Sequence, residues 1–558
     1  MDARQPHFAV KLLPSLTDMA FLMPILFLFG RMDGLQSLLG DCDTGWHIRT
    51  GQWILANHRV PLHDLFSYTM PNTVWYAWEW LTDILFAWLY GHGGLRTIAF
   101  FSIMLLSLIY VMLFRLVRRK STAIIAIVTT MIAAAVSSIH WLSRPHLFTL
   151  FFLVLFYGAL ENVRAGKTRL GRVPYLAILP VATILWTNLH GGFIVGPVLI
   201  AAYGVGELLK AALTTDIEER PAALSRARRY LLSAFACVAA SLVNPYTYHL
   251  HQHVIEYLRD PYQAQHIAEF LSLSFHHPMA IFFEGLLLAG AAAALWHASK
   301  GRYIELVLIL VWSHGALLAA RNIPLFAIVA ALPVAGALED WVALIPAWNL
   351  AAWVRRAAEK FARLGRETSE TDSIARWHVA SVLGIVVLAA LLYAPNPPKS
   401  FRAEFDPKSF PAGAVDMLQR GPSARIFAQD QWGDYLIYRL YPNTRVFIDG
   451  RSDFYGAVFG KQYLDVLSVS YGWEKTLGRF GVDTILLPTT APLAGALKES
   501  ARWRVVYDDG VALVFRSTQK AVGQSVSAAG SGDGESRDRE VTKTQARDRA
   551  ITELKSKT

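Results

Sequence analysis

"YAWEWLTDILFAWLYGH", residues 76–92, is apolar enough to enter a bilayer, and whether it crosses decides which side every later loop faces. Basic loops follow at 115–120 ("RLVRRK"), 163–173, 208–229, 299–302 and 354–376. From a cytoplasmic N-terminus carrying Arg4 and Lys11, about eleven crossings place all of these loops in the cytoplasm. A crossing at 76–92 would drive "RLVRRK" outside and invert the rest. The stretch is therefore expected to lie in the outer interface, where Trp75, Trp78, Trp80 and Trp88 would sit at headgroup level. The alternative is a short twelfth span with one misplaced basic loop.

Composition supports a membrane chain. Of 558 residues, 54% are hydrophobic and only 17% charged, and the mean hydropathy is +0.32. These values point to a polytopic α-helical membrane protein rather than a string of soluble domains. Candidate spans are 16–38, 95–114, 121–139, 146–162, 174–188, 192–210, 230–243, 280–298, 303–320, 322–337 and 378–394. No cleavable signal peptide is expected at the first of them. The net charge of +10 sits in short loops between apolar runs, which argues against nucleic acid as a partner. Cys42 and Cys237 form no disulfide framework or metal spacing.

Residues 1–394 thus form the membrane domain, with a long outer loop at 39–94. A proline-rich linker begins at 395. The runs "ARIFA" (424–428), "TRVFID" (444–449), "VDTILLP" (482–488), "WRVVY" (503–507) and "VALVF" (511–515) predict strands of a small extracytoplasmic α/β domain over 395–517. From 518 to 558 the composition is that of a disordered tail.

The polar residues concentrate on one side. Most of the 17 histidines fall in the outer loops 39–94, 140–145, 188–192, 244–279 and 320–324. Arg144 ("SRPH") and Arg321 ("ARNIP") stand at outer helix ends against the positive-inside trend, and a fixed anion such as phosphate would account for them. Pairing with a neighbouring acid is the plainer account. His146 and His190, the latter in the tight turn "NLHGG", are candidates for the same phosphate. In "NPYTYHLHQHVIEYL" (244–258), Asn244 and Pro245 predict a helix start, and His249 and His253 share a face at i, i+4. With an acid such as Glu79 or Asp43 they could hold a divalent metal. No acid or lysine sits clearly at mid-depth, and no two halves show matching interrupted helices, so the usual marks of a transport pathway are missing.

"DTGWHIRTGQWIL" (43–55), "RPHLFTLFF" (144–152), "WTNLHGGF" (186–193) and the 244–258 stretch resemble bacterial membrane proteins of the GT-C glycosyltransferase superfamily. "QWGDYLIYRLYPNTRVFIDGRSDFY" (431–455) is loosely similar to the oligosaccharyltransferase segment carrying a Trp-Trp-Asp-Tyr-Gly motif, with Trp-Gly-Asp-Tyr here. The resemblance covers about residues 15 to 515. It implies an inverting transfer of sugar from a polyprenyl-phosphate or diphosphate donor to an acceptor at the outer face of a bacterial inner membrane. It also implies a catalytic acid just past the first span, at Asp43 or Asp41. Asp43 is preferred, although as N-cap of a helix from 44 its carboxylate would be held by backbone N–H groups and weakened as a base. Glu79 is the second catalytic candidate, with Asp83 one turn on. Trp432, Asp434 and Tyr435 would contact the acceptor. The competing reading is a non-enzymatic lipid or glycan transporter, or a scaffold for envelope glycan assembly. A ligase using a diphosphate-linked glycan would share the chemistry of the first reading.

Overall fold

A computed structural model describes residues 8–518 apart from Met279 and Ser423. The expected tail lies, from residue 519 on, outside the described residues. The described residues up to Arg516 form one compact unit.

Seven helices are long and apolar enough to cross a membrane: Val10–Arg31, Leu95–Val117, Ala123–His140, His146–Arg164, Gly191–Leu213, Ala280–Ser299 and Ala320–Ala347. Tyr175–Leu189, Tyr303–Leu318 and Val379–Leu392 are shorter apolar helices. Together they make this a multi-pass membrane protein. The span expected at 230–243 falls on the second half of Glu219–Ala240, a helix whose first half is charged. Lipid-facing rows are visible in the exposure pattern. On Ala280–Ser299, Ile281, Leu288 and Leu295 recur every seven residues and are 64%, 72% and 72% exposed. Such a row belongs against acyl chains rather than water. The opposite face of the same helix buries Phe283, Leu286 and Gly290.

The stretch 76–92 becomes the helix Trp80–Gly93. At 14 residues it is about 21 Å long, short of the roughly 30 Å of a hydrocarbon core. It packs on Asp43–Asn57 so tightly that a Cβ on Gly51 would collide with the Asp83 carbonyl, which is why that position has no side chain. The tryptophans are not the lipid anchors expected. Trp75 is buried, Trp78 packs on His253 and Tyr257, and Trp80 Nε1 donates to Asn188 Oδ1 at 2.8 Å. Of the four, only Trp88 is exposed. Protein contacts, not headgroups, hold this helix.

The C-terminal region contains a four-stranded sheet of β1 (Ile426–Ala428), β2 (Thr484–Pro488), β3 (Trp503–Asp508) and β4 (Ala512–Ser517), in the order β1-β2-β4-β3. β1 runs parallel to β2, and β2 antiparallel to β4. "TRVFID" is not a strand of its own. Val446 instead bridges Ile426 on one side and Ser67 of the first loop on the other. Tyr68 N donates to Val446 O at 3.0 Å, and Val446 N to Phe66 O at 2.9 Å. The first loop therefore extends the edge of this sheet. Beside the seam, Arg451 lies buried against Asp64 (2.8 Å) and Asp449 (2.7 Å), its guanidinium 4.4 Å from the Trp75 ring centroid.

Candidate active site

Asp43 opens the helix Asp43–Asn57 instead of capping it. The N-cap position falls to Cys42, which makes no side-chain cap, and Asp41 Oδ1 accepts the Asp43 N–H at 3.3 Å. The competition between capping and chemistry expected at Asp43 is thereby removed, because its carboxylate is not bound to its own helix. Oδ2 instead meets Arg144 at 2.5 Å, and Arg144 also reaches Asp41 at 3.1 Å. The other oxygen faces the C-terminal region. A Cβ placed on Gly450 would lie 2.6 Å from Asp434 Oδ2 and 2.8 Å from Asp43 Oδ1, so a glycine is required where these two carboxyls converge.

Asp434 Oδ1 accepts the Gly450 N–H at 3.0 Å, while its buried Oδ2 has no hydrogen-bond partner among the described residues. Two buried carboxyls this close do not both ionise. Burial, and then the charge of Asp43, push Asp434 well above the ordinary carboxylate range. Burial raises Asp43 too, against the pull of Arg144 and of Asp434. Of the two, Asp434 is the carboxyl pushed more strongly towards the protonated form, and its Oδ2 is the atom beside Asp43 Oδ1 at Gly450. Burial raises Asp41 to about 7 despite Arg144.

Sequence reasoning missed the residue that joins the two arginines. Glu269, on the short turn Ala268–Phe270, lies 3.6 Å from Arg144, 3.3 Å from Arg321 and 3.8 Å from His140. Burial alone would raise its pKa, but Arg321 and Arg144 bring it down to about 2. A lone acid in "HIAEFLS" has no periodicity to mark it, and only its being an acid within a histidine-rich loop could have drawn notice.

A second chain of contacts runs behind the first. Asp83 Oδ1 pairs with His47 Nδ1 at 2.6 Å; His47 Nε2 faces Glu79 at 3.5 Å, and Glu79 faces His190 Nε2 at 3.3 Å. His190 Nδ1 accepts the Gly192 N–H at 3.0 Å, which assigns its proton to Nε2, towards Glu79. Burial lifts Glu79 to about 8, while burial and then the two arginines lower His190 to about 3. His190 thus serves Glu79 as a neutral donor.

Of the expected phosphate contacts, Arg144, Arg321 and His190 gather here. His146 turns aside, its Nε2 donating to the His140 carbonyl at 2.8 Å. Of the expected acceptor contacts, only Asp434 reaches the cluster. Trp432 is buried and donates to Ser409 O at 2.9 Å, and Tyr435 is buried against Phe410. Both build the core of the C-terminal region. The metal pair is not formed either. The helix begins at Tyr248, not at Pro245, because Asn244 Oδ1 closes a turn onto Tyr246 N. On it, exposed His249 contacts Gln252 and His253 pairs with Asp453 at 3.0 Å. Among the described residues, no group of three His, Cys, Asp or Glu side chains has metal-binding geometry. Asp43 and Asp434 supply two carboxyls without a third donor, and Arg144 already occupies the free side of Asp43. This donor set does not fit a divalent cation.

No family model matches the sequence, and no curated protein matches it either. Solved structures do match in fold. The archaeal oligosaccharyltransferase AglB from Archaeoglobus fulgidus, in complex with an inhibitory peptide and a dolichol-phosphate, superposes over 90% of this chain and 74% of its own. The identity there is 13% and the TM-score 0.51. A crystal structure of the Archaeoglobus fulgidus oligosaccharyltransferase complex with Zn and sulfate is 13% identical, with 90% of this chain and 73% of that one covered and a TM-score of 0.47. At this identity the likeness is one of fold, and it extends over nine-tenths of the sequence: the chain has the fold of the archaeal oligosaccharyltransferase.

Proposed function

We propose that this chain is an inverting glycosyltransferase that moves a sugar from a polyprenyl-phosphate or diphosphate donor to an acceptor. The observation that carries this reading is the placing of Asp43, one oxygen on Arg144 and the other beside Asp434 at Gly450, with Asp434 taken as the protonated member of the pair. A carboxylate held between a guanidinium and a carboxylic acid is fixed in position and kept ionised, yet burial keeps its proton affinity above that of a free carboxylate. That suits a base which takes the acceptor's proton as the acceptor attacks the anomeric carbon. The carbon–oxygen bond to phosphate then breaks, its electron pair leaves with the phosphate, and the configuration inverts.

Arg144 and Arg321 supply the charge that a departing phosphate needs. In the structure Glu269 holds them together, so a bound donor would enter by exchanging its phosphate for carboxylate contacts. Glu79, buried with His47 and His190, would hold the Asp43 helix and its neighbour in register, with Asp83 behind. The site would face the extracytoplasmic side of a bacterial inner membrane, where lipid-linked sugars are the available donors. No step needs a metal.

The test is transfer of radiolabelled sugar from a polyprenyl-phosphate pool in membranes, comparing the wild type with Asp43→Asn at matched expression and unfolding temperature. Loss confined to the variant supports the reading. Equal transfer by both removes Asp43 as base. No transfer by either across donors of both phosphate types favours a lipid or glycan handler.

A further inference from the structure

A cavity lies at the ends of the membrane helices remote from Asp43. Three helices run between the two places. His146–Arg164 starts two residues after Arg144 and reaches Arg164 about 28 Å away. Val195–Leu213 leaves the His190 turn and ends near Lys210. Tyr303–Leu318 runs back and stops just before Arg321. Around the ends remote from Asp43 lies a cavity of about 810 Å³, within the size range of small-molecule sites. Its wall is well defined, since the Val195–Leu213 and Tyr303–Leu318 helices touch there. A Cβ on Gly206 would lie 2.6 Å from Ile304 Cα.

Its charge is one-sided. Arg164, Lys210, Arg226, Arg229, Lys300 and Arg302 line it, against Glu207 and Glu219. Both acids are already engaged: Arg226 holds Glu207 at 2.8 Å and Glu219 at 2.6 Å, and Lys210 holds Glu219 at 2.6 Å. Arg164 is turned to Glu305 (2.6 Å) and Arg302 to Asp340 (2.9 Å). Arg229 and Lys300 remain without an ion pair among the described residues, and Lys300 lies over the Trp296 ring at 4.8 Å. An adjoining cavity of about 420 Å³ shares Arg164 and Arg302. Glu305 and His297 are among its lining residues. An excess of cations around one cavity favours an anion there.

We propose that this cavity is a binding site for a phosphate-bearing anion, the headgroup of an acidic membrane lipid, held chiefly by Arg229 and Lys300. A membrane source fits its position, because it opens among the polar ends of apolar helices, at the depth where headgroups lie. Soluble phosphate compounds share the chemistry and are separated by the experiment. The site is independent of the glycosyl-transfer reading.

Purified protein in dodecyl maltoside would be titrated with dihexanoyl-phosphatidylglycerol, dihexanoyl-phosphatidylcholine and sodium pyrophosphate, binding being followed by tryptophan fluorescence. Phosphatidylglycerol should bind at least about tenfold more tightly than phosphatidylcholine. Arg229→Ala with Lys300→Ala should lose about tenfold of that affinity, while the charge-preserving Arg229→Lys keeps most of it. The unfolding midpoint in lipid-free detergent distinguishes a lost site from a lost fold. If the double alanine variant unfolds early, Arg229→Gln and Lys300→Gln are measured singly. Pyrophosphate displacing the lipid at equal or lower concentration would keep the phosphate site and overturn the lipid source. Equal binding of both lipids, or unchanged phosphatidylglycerol binding by well-folded variants, would overturn the proposal.

Discussion

The two polar ends of the membrane helices solve opposite problems. At the Asp43 end, Asp41, Asp43, Glu269 and Asp434 crowd around Arg144 and Arg321, and each arginine bonds more than one partner. At the other end the basic groups outnumber the acids, and two are left without an ion pair. One cluster is closed on itself and strained by its own like charges; the other is open and short of anions. The difference teaches that charge alone does not mark a reaction centre. What sets the first end apart is that carboxyls brought from three distant parts of the chain converge around one guanidinium, the arrangement on which the proposed reaction rests.

The comparison can be broken most directly at Asp43. Asp43→Asn should lower sugar transfer by about 10²–10⁴-fold, the range of a lost general base, with folding intact. A smaller loss would make the first end as structural as the second.

Arg144 tests whether the closed cluster depends on a single guanidinium. Arg144→Ala leaves Asp41, Asp43 and Glu269 without their shared cation. It should destabilise the protein by about 3–5 kcal/mol, read as the shift in chemical unfolding in detergent. A loss below about 1 kcal/mol would show that the acids simply pick up protons.

Asp434 sharpens the picture. On the proposed reading it holds the pair's proton and donates to Asp43, so Asp434→Asn, which can still donate, should retain most of the transfer rate. Asp434→Ala removes the donor. The rate, which rises with pH as Asp43 ionises, should then rise only at higher pH. Matching pH profiles for the two variants would place the proton elsewhere.

Glu79 gives a smaller effect with a definite sign. Its folded pKa of about 8 exceeds the ordinary 4.5, so its contribution to stability is present below about pH 4.5 and lost as pH rises through 8. The unfolding midpoint should fall across that window, less steeply in Glu79→Gln. Smallest of all should be chelation. EDTA should change transfer by less than about twofold, and a loss beyond tenfold would require a metal that the present donors do not provide.

Helix positions were legible because apolar runs and basic loops report directly on bilayer energetics. "AILPVATILWTNL" needed no tertiary information to be read as part of an apolar span, and it falls within the apolar helix Tyr175–Leu189. The Asp43 and Arg144 pairing was half legible: an arginine on the unexpected side demanded an anion, and the plainer account, a neighbouring acid, is what the structure contains. Glu269 was not legible, because its role arises only when three loops converge. Trp432 and Tyr435 misled for a related reason, since a motif of known kind says nothing about which side chains face inward. Nor could spacing reveal that His253 would find Asp453, 200 residues away.

Val446, bonded to Ile426 on one side and to the first loop on the other, has a consequence for how the protein is made. Asp43 and Arg144 leave the ribosome early, while Asp434 and Gly450 follow only after the membrane helices have been threaded. A nascent chain thus carries Asp43 without Asp434 beside it until the last strands, β3 and β4, complete the sheet that clasps the first loop. Translation itself sets the moment at which the cluster is assembled, and a chain cut short before Ile426 would reach the membrane without Asp434 and Gly450.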